Sequence, residues 1–204
     1  MKQNHHELIV DVIKKIFPYY EKNEPGHRLD HALNTLKYGL KLAVFTKLDQ
    51  QYINDVIIAT LLHDIYARVE YHEIHHAMAY KEIMIGGHMY DWFMDTCDKY
   101  NSHPSIIQDA VYEHRATYDG KYSNNVAKIT AAADRGKPCV KSICERFLTI
   151  FPNKKQSELI KIIQKKYGIN GYARYPQIYK DYFGEALDMF QVVISNTQLL
   201  KKIF

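Results

Sequence analysis

The stretch Val56-Ile57-Ile58-Ala59-Thr60-Leu61-Leu62-His63-Asp64 sets an imidazole and a carboxylate at the end of an otherwise apolar helical run. Burying such a pair costs free energy unless something neutralises it. A cation would do so, with Asp64 as a charged ligand. Upstream lies His31; downstream come His75, His76 and His114, and then Asp134 after Ile129-Thr130-Ala131-Ala132-Ala133. The dipeptide alone is weak evidence, because a chain of this composition readily yields a chance His-Asp. The ordered series is stronger. Imidazoles and carboxylates at successive helix ends are what a divalent-metal site needs when no single motif supplies every ligand. Nitrogen and oxygen donors of this kind suit Mn, Fe, Co or Mg better than a closed structural zinc site.

Nearly every periodic segment around that stretch has helical spacing. Leu8, Val12, Ile13 and Ile16 predict a first helix ending near Pro18. Leu29, Leu33, Leu36, Leu40, Ala43 and Val44 follow the stripe of a long second helix. A third runs from about Gln50 to Asp64, and others fall near Ile74–Ile85, Met89–Tyr100, Pro104–Arg115 and Asn125–Ala133. Pro104 suits a first helical turn. Gly86-Gly87 and Asp119-Gly120 read as breaks. From Pro138 to Phe204 about three more helices are expected, interrupted by Pro152, Gly168–Gly171 and Pro176. No strand-type alternation stands out. The expectation is an all-α fold: one compact domain over 1–204, its core at about 26–137 and a C-terminal helical extension at about 138–204 packed on it.

Composition narrows the function classes. A chain of 204 residues with 47% hydrophobic and 25% charged residues is long enough for one substantial core. The net charge of +4 is mild, and no long nucleic acid is expected as a partner. The lysines of Asn153–Lys166 alternate with Leu159, Ile160, Ile162 and Ile163, which reads as a solvated face opposite a buried stripe. Cys97, Cys139 and Cys144 are odd in number and lack Cys-x-x-Cys spacing, which fits a reducing compartment. The polar start, with no signal-like apolar core after it, and the lack of a membrane-length apolar run make a cytoplasmic protein with no membrane partner the expectation.

Plain readings cover many of the other candidates. His5, His6, His72 and His103 are read as packed or surface residues, and the 17 tyrosines mostly as core-rim residues. His27 and His31 share a helix face, but a zincin reading fails because Arg28 stands where glutamate is required. For Asp134 the competing reading is an ion pair with Arg135 or Lys137.

The order His31, His63-Asp64, Asp134 resembles the HD-domain metal-dependent phosphohydrolases. Gly26-His27 through His31, Ala59–Ile65 and Ala131–Arg135 carry the likeness. His75-His76 with Ala79, Glu113-His114-Arg115-Ala116 and Lys166–Tyr172 are similar to a smaller bacterial and phage branch. The resemblance covers about 26–172 and is unspecific for substrate. It implies a helical fold in which His31, His63, Asp64 and Asp134 bind one metal, with water activated there attacking phosphorus. A second metal would recruit two more histidines, and His114 fits one of them. For the other, His75 fits by Ala79 four positions on and His88 by its distance from His63 and His114; His75 is favoured, with His76 next. These histidines could instead contact phosphate. Asp64 is the expected orienting or general-base carboxylate. Arg68, Arg115, Lys137 and His27 are candidates for holding substrate phosphates.

The leading expectation is therefore hydrolysis of a nucleotide or another small phosphorylated metabolite. Trp92 and the tyrosines offer surfaces on which a base could stack. A non-catalytic nucleotide-binding sensor that keeps the fold is the alternative, and a helical interaction protein with incidental histidines is a third. Compact helical enzymes of this size often pair, so a homodimer is a further expectation.

Overall fold

The computed structural model describes residues 5–71, 73–118 and 121–204. His72 and the expected break at Asp119-Gly120 lie outside the described residues. Among those described there are twelve α-helices, three short 3-10 turns and no strand, so the fold is all-α. Internal contacts divide the chain into two compact units, Met1–Gly136 and Lys137–Phe204.

The first unit is built around the run quoted above. Helix α3 (Ile53–Leu62) is buried along its whole length. A helix that is apolar on every side can be stable only at the centre of others. Each of Ile57, Ile58, Leu61 and Leu62 is fully buried, a stabilisation of about 1.5–3 kcal/mol apiece. Helices α1 (His5–Tyr20), α2 (Leu29–Phe45), α6 (Pro104–Glu113) and α7 (Asn125–Asp134) pack on it. Helices α4 (His75–Glu82) and α5 (Tyr90–Lys99) contact α6.

Helix α1 buries Leu8, Val12, Ile16 and Tyr20, a stripe at four-residue spacing. It ends near Pro18 as expected, running through that proline to Tyr20. Proline in a last turn forfeits one hydrogen bond, and Glu21 N still bonds the Phe17 carbonyl at 3.1 Å. The Tyr20 hydroxyl donates to the Leu61 carbonyl at 2.9 Å, tying α1 to the end of α3.

Two polar residues of α3 serve the packing. Asn54 donates to the Tyr100 carbonyl at 2.7 Å. Asp55 is fully buried and accepts the His103 amide at 2.8 Å on Oδ1, while Oδ2 lies 2.8 Å from His103 Nδ1. Burial pushes the Asp55 carboxyl up, against the pull of those His103 bonds. His103 is the residue before α6, so this carboxylate fixes where α6 begins and, one helix length later, where His114 ends up.

Helix α2 comes close to α3 at Gly39. A methyl group there would stand 2.9 Å from Thr60 Cγ2 and 3.1 Å from Val56 Cγ1, and 3.8 Å from Ala133 Cβ on α7. Ala131, Ala132 and Ala133 keep α7 equally slim.

The second unit holds α8 (Val140–Ile150), α9 (Gln156–Tyr167), α10 (Gln177–Phe183), α11 (Glu185–Ser195) and α12 (Thr197–Lys201). That is five helices where about three were expected. The extra breaks come from Gly184, whose φ of +42° ends α10, and from Asn196, whose side chain caps α12. Helix α9 buries Leu159, Ile160 and Ile163 and exposes Lys161 and Lys165, an amphipathic helix as read. The three cysteines are free thiols. No helix among the described residues is long and apolar enough to cross a membrane.

The close approach at Gly39 is testable. Gly39→Val should lower unfolding stability by about 2–3 kcal/mol through overpacking. Gly39→Ala should cost less, because the gain in helix propensity of about 1 kcal/mol offsets part of the clash. Urea unfolding measures both, and an unchanged Gly39→Val midpoint would contradict the packing.

Candidate metal centre

Three helix ends bring four ionisable side chains together inside the first unit. His31 stands in the first turn of α2, His63 and Asp64 follow α3, and Asp134 closes α7. His31 Nε2 lies 3.1 Å from Asp134 Oδ1, 3.3 Å from Asp64 Oδ2 and 3.3 Å from His63 Nε2. His63 Nε2 is 3.3 Å from Asp64 Oδ2 and 3.5 Å from Asp134 Oδ1. An ion about 2.1 Å from each ligand would set neighbouring ligand atoms about 3.0–3.4 Å apart. The spacing fits.

The tautomers fit as well. His63 Nδ1 lies 2.8 Å from the Thr60 carbonyl, one of the acceptors a helix end leaves over. Nδ1–H donates there, so Nε2 of the neutral ring turns a lone pair toward the carboxylates. His114, at the end of α6, repeats this with Nδ1 2.7 Å from the Val111 carbonyl. Lone pairs facing carboxylates repel unless a proton or a cation lies between them.

Asp64 faces two donor groups. Oδ2 belongs to the one just described, whereas Oδ1 lies 3.4 Å from His75 Nε2 and 3.3 Å from His114 Nε2. Oδ1 is buried and finds no hydrogen-bond donor among the described residues. The ligand atoms of His31, His63, Asp64 and Asp134 all lie within 4.8 Å of one another, as do those of Asp64, His75 and His114. An orphaned carboxylate oxygen in a ring of imidazoles is a cradle for a cation.

Charge follows from the same geometry. For Asp64, burial works against ionisation, yet His63 and the other imidazoles hold the carboxyl well below its usual range. Asp134 is likewise held down, against burial, by His31, His63 and Arg135. Burial also opposes a charge on His63, but Asp64 and Asp134 outweigh it and push the ring up to about 10. Burial pushes His114 down. The field that keeps a proton on His63 would favour a metal ion in its place.

The remaining candidates are distributed unevenly. His27 Nε2 is 3.9 Å from Asp64 Oδ2, and its Nδ1 is 2.7 Å from Glu24 Oε1. His75 joins the second group. His76 and His88 do not: His76 is buried against Tyr112, its ring centre 5.5 Å away, and burial lowers it to about 4. His88 is exposed beyond Gly86, whose φ of +86° turns the chain after α4. The Arg68 guanidinium lies over the Tyr66 ring at 4.8 Å, and Arg115 is half-buried beside His114. Lys137 is exposed at the start of the second unit.

Sequence reading missed the groups behind the ligands. Asn23 Nδ2 donates to the Asp64 carbonyl at 2.7 Å and to the His27 carbonyl at 2.9 Å. Glu113 accepts the Ser123 amide at 2.9 Å and the Ser123 hydroxyl at 2.5 Å. For Asp134 the two readings hold together, because Arg135 Nη1 is 2.7 Å from Oδ2 while Oδ1 faces the histidines.

Proton linkage checks the centre. A proton held by His63 competes with the cation, so affinity should strengthen as pH rises toward the value of about 10 at which the ring gives that proton up. Mn²⁺ binding at pH 7 should release about one proton per ion, and affinity should gain about tenfold per pH unit between 6 and 8. Calorimetry in buffers of different ionisation enthalpy measures the release. Binding without proton release would contradict the arrangement.

Comparison with known proteins agrees with the geometry. The family model described as HD domain matches residues 28–136, more than half of the chain, and that span contains all the residues of both donor groups. No curated protein and no solved structure matches. On the family match and the His/Asp cluster, this chain belongs to the HD-domain superfamily of metal-dependent phosphohydrolases.

Proposed function

We propose that the protein hydrolyses a phosphate ester or anhydride of a nucleotide or another small phosphorylated metabolite, using a divalent cation. The observation that carries this reading is Asp64, whose two oxygens serve two separate donor groups. His31, His63, Asp64 and Asp134 would hold the ion, and their N and O donors suit Mn, Fe, Co or Mg. When bound, such a cation supplies Lewis acidity, drawing charge from a phosphoryl oxygen and making water a stronger acid.

The side chains divide the remaining work. Asp64 would be the carboxylate that orients the attacking water or takes its proton. His75 and His114 present Nε2 to its Oδ1; His114, whose Nδ1–H is used by the Val111 carbonyl, offers a lone pair that suits a second cation, while His75 can serve either a second cation or the phosphoryl group. His27 lies between Glu24 Oε1, 2.7 Å from its Nδ1, and Asp64 Oδ2, 3.9 Å from its Nε2, and in its imidazolium form it can donate Nε2–H to a phosphate oxygen. Arg115 can add a guanidinium fork beside His114. Arg68 is the weaker phosphate contact, because its guanidinium stacks on Tyr66.

A nucleotide is favoured by aromatic surface: the rings of Tyr118 and Tyr122 lie 5.4 Å apart. Such a pair offers a face for a base.

The test is a metal-dependent screen across nucleoside mono-, di- and triphosphates, dinucleotides and cyclic nucleotides, reading phosphate or pyrophosphate release. The wild type should turn over at least one class. Asp64→Ala should lose more than the 10–100-fold, roughly, that removing a ligand's outer partner costs. A nucleotide bound tightly by the metal-loaded protein and never cleaved would overturn hydrolysis in favour of a sensor.

A further inference from the structure

Arg135 is nearly buried, its side chain 3% exposed, beside the cluster. A guanidinium in such a place is tolerated only when its N–H groups are used. Nη1 carries two hydrogens and meets two acceptors, Asp134 Oδ2 at 2.7 Å and the backbone carbonyl of His114 at 3.0 Å. The other oxygen of Asp134 faces His31 Nε2 at 3.1 Å and His63 Nε2 at 3.5 Å. The two oxygens of one carboxylate are thus assigned to different partners. The second bond reaches the end of α6, where His114 turns Nε2 toward Asp64.

We propose that Arg135 is a positioning residue that restricts Asp134 to a single ligating oxygen and yokes it to the helix end bearing His114. Resting on the metal-centre reading above, this adds a constraint on how the centre is built. A carboxylate engaged through Oδ1 alone fills one coordination position instead of two. The position left over is where water or a phosphoryl oxygen of the substrate can bind. Because the same Nη1 holds the His114 carbonyl, a displacement of Asp134 would also pull on the second donor group. Lysine could hold Oδ2 as a point donor, but its ammonium lacks the planar fork fixed in this geometry.

The direct test is a crystal structure of the wild-type protein loaded with Mn²⁺. Asp134 should touch the ion through Oδ1 only, with Oδ2 still on Arg135. Both oxygens on the ion would overturn the proposal, whether or not any variant folds. In solution, Co²⁺ replaces Mn²⁺ and its visible absorption reports coordination. Arg135→Met should shift the Co²⁺ bands and weaken binding about 10–100-fold. Arg135→Lys, which keeps a donor on Oδ2, should retain the wild-type bands. A purely structural role would move the melting temperature and leave the bands alone, so wild-type bands and affinity in Arg135→Met would overturn the assignment. A wild-type protein that takes up no metal would overturn the metal-centre reading and this one with it, whereas a two-oxygen Asp134 in a loaded protein would sink only the role of Arg135.

Discussion

A carboxylate at the end of a wholly buried helix is the constraint on which the first unit depends. Asp64 is 2% exposed, and His63 and His114 turn Nε2, not their carbonyl-bound Nδ1, toward its oxygens. Removing the partner of a buried charge costs about 3–5 kcal/mol, so the surrounding elements must deliver their side chains to one place. Gly39 lets α2 press close enough for His31 to arrive, and the alanines of α7 do the same for Asp134. Asp55 pins the start of α6, which sets the position of His114. Packing and chemistry are therefore one problem here: the apolar helix that organises the core also carries the metal-seeking pair.

How much of this could be read from the sequence depends on the range of the interaction. Helical periodicity is local, and the stripes of α1, α2 and α6 announce themselves in their spacing. The boundaries were harder. Pro18 marks the end of α1 only approximately, since a proline in a last turn costs little enough for the helix to run on to Tyr20. In the second unit the single-residue punctuation at Gly184 and Asn196 divides what periodicity alone leaves joined.

The site shows the same division. His31, His63, Asp64 and Asp134 stand out because ionisable residues at the ends of apolar helices need an explanation. Spacing favours His75 through Ala79 but leaves His88 in play by its distance from His63 and His114. The turn after α4 and the burial of His76 against Tyr112 separate the three histidines. The outer partners Asn23 and Asp55 act on groups far away in the chain, as with Asn23 and the Asp64 carbonyl, and so does Arg135 where it meets the His114 carbonyl. The signal for Asp55 was present, because a carboxylate in the first turn of an apolar helix raises the same question as Asp64.

The account centres on four side chains sharing a cation inside this unit, and metal content tests that most directly. Untagged protein, purified without added metal and examined by plasma mass spectrometry, should carry at least one transition metal or magnesium ion per chain. His63→Ala should carry far less while keeping its helical circular dichroism. A sub-stoichiometric metal content that His63→Ala leaves unchanged would contradict the account.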